Sequence, residues 1–121
     1  MSKIKIIVNE SILSAEVENN ATTRALLDLM PMKLPMLNLY TRELTYRFKQ
    51  ALPANEAHTS GYRVGDIAYW PPRHSFVIFY KQTGEIISPL QPIGHINTGN
   101  LAQFRSSGDV TISFQRIEER P

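Results

Sequence analysis

Lys and Ile alternate along KIKIIV (residues 3–8), Asn9-Glu10 interrupts them, and Ile12, Leu13, Ala15 and Val17 follow among polar neighbours. Period-two alternation sends successive side chains to opposite faces of a strand, so this stretch predicts a β-hairpin with one face inward. In NNATTRALLDLM (19–30) the period changes. Ala25, Leu26, Leu29 and Met30 fall on one helical stripe, Asn20 or Thr22 caps it, and Pro31 ends it. So short an amphipathic helix has to lie on a sheet. MKLPMLNLY (32–40) and ELTYRF (43–48) alternate again and predict a second hairpin, with Pro35 marking an edge or a bulge.

Residues 50–61, QALPANEAHTSG, turn small and polar and read as an irregular surface loop. Strand patterns resume at GDIAYW (65–70), SFVIFYK (75–81), LQPIGHI (90–96) and DVTISFQRI (109–117), with a turn at Thr83-Gly84 and a break at Ser106-Ser107-Gly108. Within NTGNLAQF (97–104), Asn97 or Thr98 caps one helical turn. The order is hairpin, helix, hairpin, loop, strands, short helix, strand. Closely spaced strands with two helices predict a mainly β protein whose sheet closes on itself, because closure removes exposed strand edges. Ile67 to Trp70 and Phe76 to Tyr80 are apolar almost throughout, so these strands are expected to be covered on both faces. Pro71-Pro72 lacks backbone donors, ends the first of them and is expected to impose an extended exit. Trp70 then stands where the sheet opens, its indole either covering a core edge or flanking a groove.

Composition adds boundaries. At 121 residues, with 42% hydrophobic and 20% charged, the chain fits one globular domain spanning 1–121. There is no cysteine, which excludes disulfides and thiolate chemistry. Thirteen basic against 11 acidic residues give a net charge of +2 without any basic run, a solvated surface rather than a nucleic-acid footprint. MSKIKIIVNE lacks the apolar block of a signal peptide, and no stretch approaches the ~20 residues of a membrane helix, so a cytoplasmic protein without membrane contact is expected.

Catalytic signatures are missing from the sequence: no phosphate-cradling glycine loop, no H-E-x-x-H, no Ser-His-Asp pattern. The spacing of His58, His74 and His95 matches no metal motif, so neither metal nor cofactor is expected. His58 and His74 read as exposed, and His95 as a half-buried imidazole bonded to backbone. Glu16 and Glu18 share a solvent face, Glu118-Glu119 lie at an end, and Asp66 after Gly65 satisfies turn backbone. Tyr69, Trp70, Phe76 and Arg73 could form a stacking platform for single-stranded nucleic acid, but alternation turns half of such aromatics into the core.

GDIAYWPP with SFVIFY, IGHINTGNLAQF and TTRALLDLMP resembles the small prokaryotic cyclophilin-like proteins over nearly the whole chain. The resemblance implies a compact cyclophilin-like β-barrel with one helix after the first hairpin and a short helix before the last strand, the fold of peptidyl-prolyl isomerases. Isomerases of this fold carry a Phe-His-Arg segment, a Phe-Met-x-Gln stretch and a glycine pair, none of which occurs here. The matching hairpin, Met36 to Leu52, holds Arg42 and Arg47 as its guanidinium groups. Val77 stands where the proline-pocket Phe would be, Trp70 and Pro71 where isomerases carry Ala-Asn, and Leu90 where they have a His. The expected function is therefore binding of a small molecule or extended peptide in a lateral groove, without efficient catalysis. That groove would lie between the Met36–Leu52 hairpin and the Trp70–Phe79 strands and use Arg47, Trp70, Pro71, Val77 and Phe79, with Arg47 facing an anion or carbonyl. The alternatives are a weak prolyl isomerase using Arg42 or Arg47 and an interaction module docking near Pro35. A monomer or weak homodimer is expected.

Overall fold

The computed structural model describes residues 2–98, 101–105 and 108–117. Strands β1 (Ser2–Val8) and β2 (Ser11–Val17) form the first hairpin, and Val8 pairs with Ser11 across the Asn9-Glu10 turn. Helix α1 (Ala21–Leu29) follows, capped by Asn20, whose Oδ1 accepts from the Thr23 N–H at 2.9 Å. Its buried face differs from the expected stripe. Thr22, Thr23 and Leu26 are buried while Leu29 is 48% exposed, because the helix meets the barrel on the side that also carries Leu27 and Met30.

Strands β3 (Met32–Leu39) and β4 (Glu43–Arg47) form the second hairpin, β5 (His58–Ser60) is a short strand, and β6 (Asp66–Trp70), β7 (Ser75–Phe79), β8 (Ile87–Thr98) and β9 (Val110–Ile117) complete the set. Their order is β2-β1-β9-β3-β4-β7-β6-β8, every pairing is antiparallel, and β2 also pairs with β8. That last pairing closes an eight-stranded barrel among the described residues, as the alternation predicted. Gly94 sits at the seam, opposite Val17, where a Cβ would stand 2.2 Å from the Glu16 carbonyl oxygen. Only glycine lets the two backbones approach so closely.

Inward side chains fill the barrel: Ile4, Ile6 and Val8 from β1, Leu13 and Val17 from β2, Met36, Leu44, Tyr69, Phe76, Ile78 and Phe114 from the others. A second cluster, Tyr62, Ala68, Val77, Phe79 and Leu90, lies apart from it. Along β7, Phe76 and Ile78 belong to the first cluster and Val77 and Phe79 to the second, which is why the strand is apolar at every position.

Several expectations need correction. The 50–61 stretch contains β5, which pairs with the start of β8, and it is pinned by the Tyr69 hydroxyl accepting from Leu52 N–H and by Gln91 Oε1 accepting from Glu56 N–H. Pro71-Pro72 does not exit in extended form. Trp70 is extended, as a residue before proline should be, but Pro71–Arg73 make a 3-10 turn that His74 ends at φ 52°. Proline tolerates that turn because the first N–H groups of a helix lack intrahelical partners. Pro35, by contrast, fits its expected edge position: it pairs with Thr111 of β9, and β3 meets β4 only from Leu37 onward, so its other side is a local edge at the fork between strands. A 3-10 turn, Leu101–Arg105, precedes β9. Asn97 does not cap it, its side chain instead bonding Ser14 and Glu16. The Thr98 side chain, Ser106-Ser107 and Glu118-Glu119 lie outside the described residues.

Candidate functional site

The outward faces of β4 and β7 make a floor of cross-strand pairs: Glu43 with Phe79, Thr45 with Val77, Arg47 with Ser75. On the other side of β7, Ala68 pairs with Val77 and Trp70 with Ser75. The chain after β7 and the first residues of β8 rise over this floor as a wall. Together they enclose an open cavity of about 430 Å3, within the size range of ligand sites. Arg47, Trp70, Val77 and Phe79 all line it, joined by Glu85, Ile87 and Leu90 from the wall. Pro71 does not, because it turns away into the 3-10 turn. The wall itself escaped sequence reasoning, since Lys81–Ile86 carries no periodic pattern.

Trp70 is half-buried rather than packed into the core, and its Nε1–H points to the Ser88 carbonyl at 3.4 Å. The indole thus bridges floor and wall. Below it, Phe79 stacks on Tyr62 with ring centroids 4.0 Å apart, and the Tyr62 hydroxyl donates to the Lys81 carbonyl. These contacts hold the wall to the floor by apolar burial and directed bonds together.

The two arginines of the hairpin differ in kind. Arg42 Nε donates to Glu43 Oε1 at 2.7 Å, Nη2 also meets that oxygen, and Nη1 donates to Glu85 Oε2 at 2.8 Å. Thr45 Oγ1 donates to the other Glu43 oxygen at 2.5 Å. The guanidinium lies 5.1 Å from the Tyr40 ring centroid and 5.9 Å from that of Phe79. Burial alone would lower the pKa of Arg42, but hydrogen bonds and charge from Glu43 and Glu85 outweigh it and raise it above the ordinary arginine value. Arg42 is therefore a cation fixed between two carboxylates. Arg47, two rows beyond Glu43 on the outward face of β4, is exposed, and its side chain has no hydrogen-bond or ion-pair partner among the described residues.

A second recess of about 470 Å3 is lined by Glu16, Glu18, Asp66 and His95. His95 bonds a carboxylate rather than backbone: its Nδ1 lies 2.8 Å from Asp66 Oδ1. The same Asp66 accepts from the Arg63 N–H at 2.8 Å, as its turn position predicts. Gly65, at φ 96°, packs so close to the His95 ring that a Cβ would meet Cε1 at 3.1 Å. His58 and His74 each place Nδ1 3.1 Å from a backbone carbonyl. No cluster of three or more metal-ligating side chains occurs among the described residues. Nor is any helix among them long and apolar enough to cross a membrane. Tyr69 and Phe76 are fully buried in the barrel, which removes two of the three aromatics from any stacking platform.

A closed antiparallel barrel with a lateral groove on its outer face defines the class of fold. The model of the cyclophilin-like family matches residues 6–115, and the chain belongs to that family. Among solved structures it is similar to the hypothetical protein AF2241 from Archaeoglobus fulgidus, at 19% identity and a TM-score of 0.73, covering 96% of this chain and 95% of that one. It is also similar to McbB, solved in complex with tryptophan, at 11% identity and a TM-score of 0.67, covering 98% of this chain and 46% of that one. Curated proteins yield no match.

Proposed function

We propose that this protein is a binding module whose lateral groove takes a small molecule or an extended peptide without efficient catalysis. One observation carries the reading: an unpartnered guanidinium, Arg47, stands beside the apolar floor of Val77 and Phe79 in an open cavity. An apolar surface with a few convergent polar groups is the usual composition of a ligand site. Arg47 pairs with a carboxylate or carbonyl of the ligand, Trp70 covers its apolar part, and Val77 and Phe79 form the seat.

Twisting a prolyl amide faces a barrier of about 20 kcal/mol, and lowering it needs a cation held in advance over a proline pocket. Arg42 is held, but by Glu43 and Glu85. Arg47 is on the rim, exposed and held by no partner among the described residues, so the ordering of its side chain would have to accompany each turnover. A protease-coupled proline-peptide assay is expected to return the buffer rate. A rate well above buffer that disappears in Arg47→Gln would establish the isomerase instead.

Trp70 is the only tryptophan and reports on the groove directly. Across a library of short peptides and small carboxylates, tryptophan excepted because its fluorescence would mask the signal, some members should shift Trp70 emission, and Arg47→Gln should weaken those that carry an anion. Tryptophan itself, the molecule named in the McbB complex, is tested by amide shifts. A library that leaves both signals unmoved contradicts the proposal.

A further inference from the structure

The groove is electrically dipolar. At one end Glu43 and Glu85 share a single guanidinium, so two carboxylates against one cation leave one negative charge in surplus. At the other end Arg47 supplies one positive charge without a partner among the described residues. Glu43, Thr45 and Arg47 occupy alternate positions of β4 on one face, so the backbones of Glu43 and Arg47 are separated by four strand rises, roughly 13 Å. Between them the floor is Val77 and Phe79, 2% and 1% exposed, with Leu90 and Ile87 of the wall packed against the same cluster.

From this pattern we infer that the groove selects a short extended peptide with free ends, about four residues long and apolar in the middle. This rests on the binding role proposed above and names its ligand class. The peptide carboxylate pairs with Arg47 and its terminal ammonium lies by Glu85, whose side chain is 56% exposed and so accessible from the groove. A fully extended tetrapeptide spans about 13–14 Å, the same scale as that backbone separation. A neutral apolar ligand would leave both end charges unused. A ligand with two anionic ends would meet repulsion at Glu85. Arg42 contributes by holding Glu43 and Glu85 in place, not by contacting the ligand's carboxylate.

The test uses the tetrapeptide Ala-Val-Phe-Ala in four forms: free-ended, N-acetylated, C-amidated and blocked at both ends. Affinities are measured by titration calorimetry on the whole chain, with amide shifts of Val77 and Phe79 as a locator. Each blocked end is expected to weaken binding about fivefold, the two losses multiplying. Arg47→Gln should weaken the free-ended peptide by about the same factor and leave the C-amidated one unaffected, and Glu85→Gln should behave likewise toward the N-acetylated form. If all four forms bind equally while the Val77 and Phe79 amides shift, the charge inference is overturned and the groove reading stands. If no form binds but another library member moves those amides, the peptide inference falls alone. If no ligand of any kind moves them, both fall.

Discussion

Replacing Arg42 by Met would test whether this arginine is a structural cation. The methionine retains much of the apolar stem against Tyr40 and Phe79 and removes the charge. What remains is Glu43, with a side chain 7% exposed and Thr45 as its remaining hydrogen-bond partner among the described residues. Removing one member of a buried pair strands the other, at a cost of about 3–5 kcal/mol. With a urea slope of about 2 kcal/mol per M, the unfolding midpoint should fall by roughly 2 M. Substituting both partners, Arg42→Met with Glu43→Leu, removes the stranded charge and should restore most of that loss. Trp70 fluorescence and circular dichroism follow the transition. A single variant that shifts the midpoint by less than about 0.5 M would place the pair among exposed salt bridges and refute the reasoning. So would a double variant as unstable as the single one.

The pH response follows from the raised pKa of Arg42. A folded-state pKa above the unfolded one contributes stability in full below the unfolded value and loses it only as pH rises through the folded value, beyond the ordinary arginine range. The penalty for Arg42→Met should therefore be the same at about pH 7 and about pH 10, as urea midpoints at the two pH values will show. Gly94→Ala forces a Cβ to within 2.2 Å of the Glu16 carbonyl at the β2–β8 seam, so it should lower the thermal midpoint steeply or abolish folding, whereas Gly84→Ala, with open space around it but φ 80°, should cost about 1 kcal/mol. Phe79→Ala empties the centre of the outer cluster and should cost about 3–5 kcal/mol, with faster hydrogen exchange in the Tyr62 region that Phe79 supports.

Much of the barrel was legible because its strands obey a simple period. KIKIIV and its partner alternate cleanly, since one face meets the core and the other meets water, and Asn20 announced the helix through its short side chain. The unbroken apolar run of β7 correctly signalled cover on both faces. Arg47 and Val77 on the groove floor were singled out through the family resemblance rather than through any period. The wall was not. Lys81–Ile86 has no period, and Pro89 and Pro92 within β8 obscured a strand that begins at Ile87. Ion partners such as Glu85 for Arg42, or Asp66 for His95, are distant in sequence and brought together by the segment after β7 and by the β6–β8 pairing. Pro71-Pro72 misled because its fixed φ suits an extended segment and a 3-10 turn alike, and the choice was made by the β6–β7 connection.

The most direct measurement is a crystal structure of the protein with the tightest ligand from the library. The account predicts electron density along the outer face of β4 and β7, with an anionic or carbonyl group at Arg47, the ligand body over Val77 and Phe79, and the Arg42–Glu43 pair intact beneath it. Density confined to the recess of Glu18 and His95, or an Arg42 released from Glu43 to grip the ligand, would contradict it.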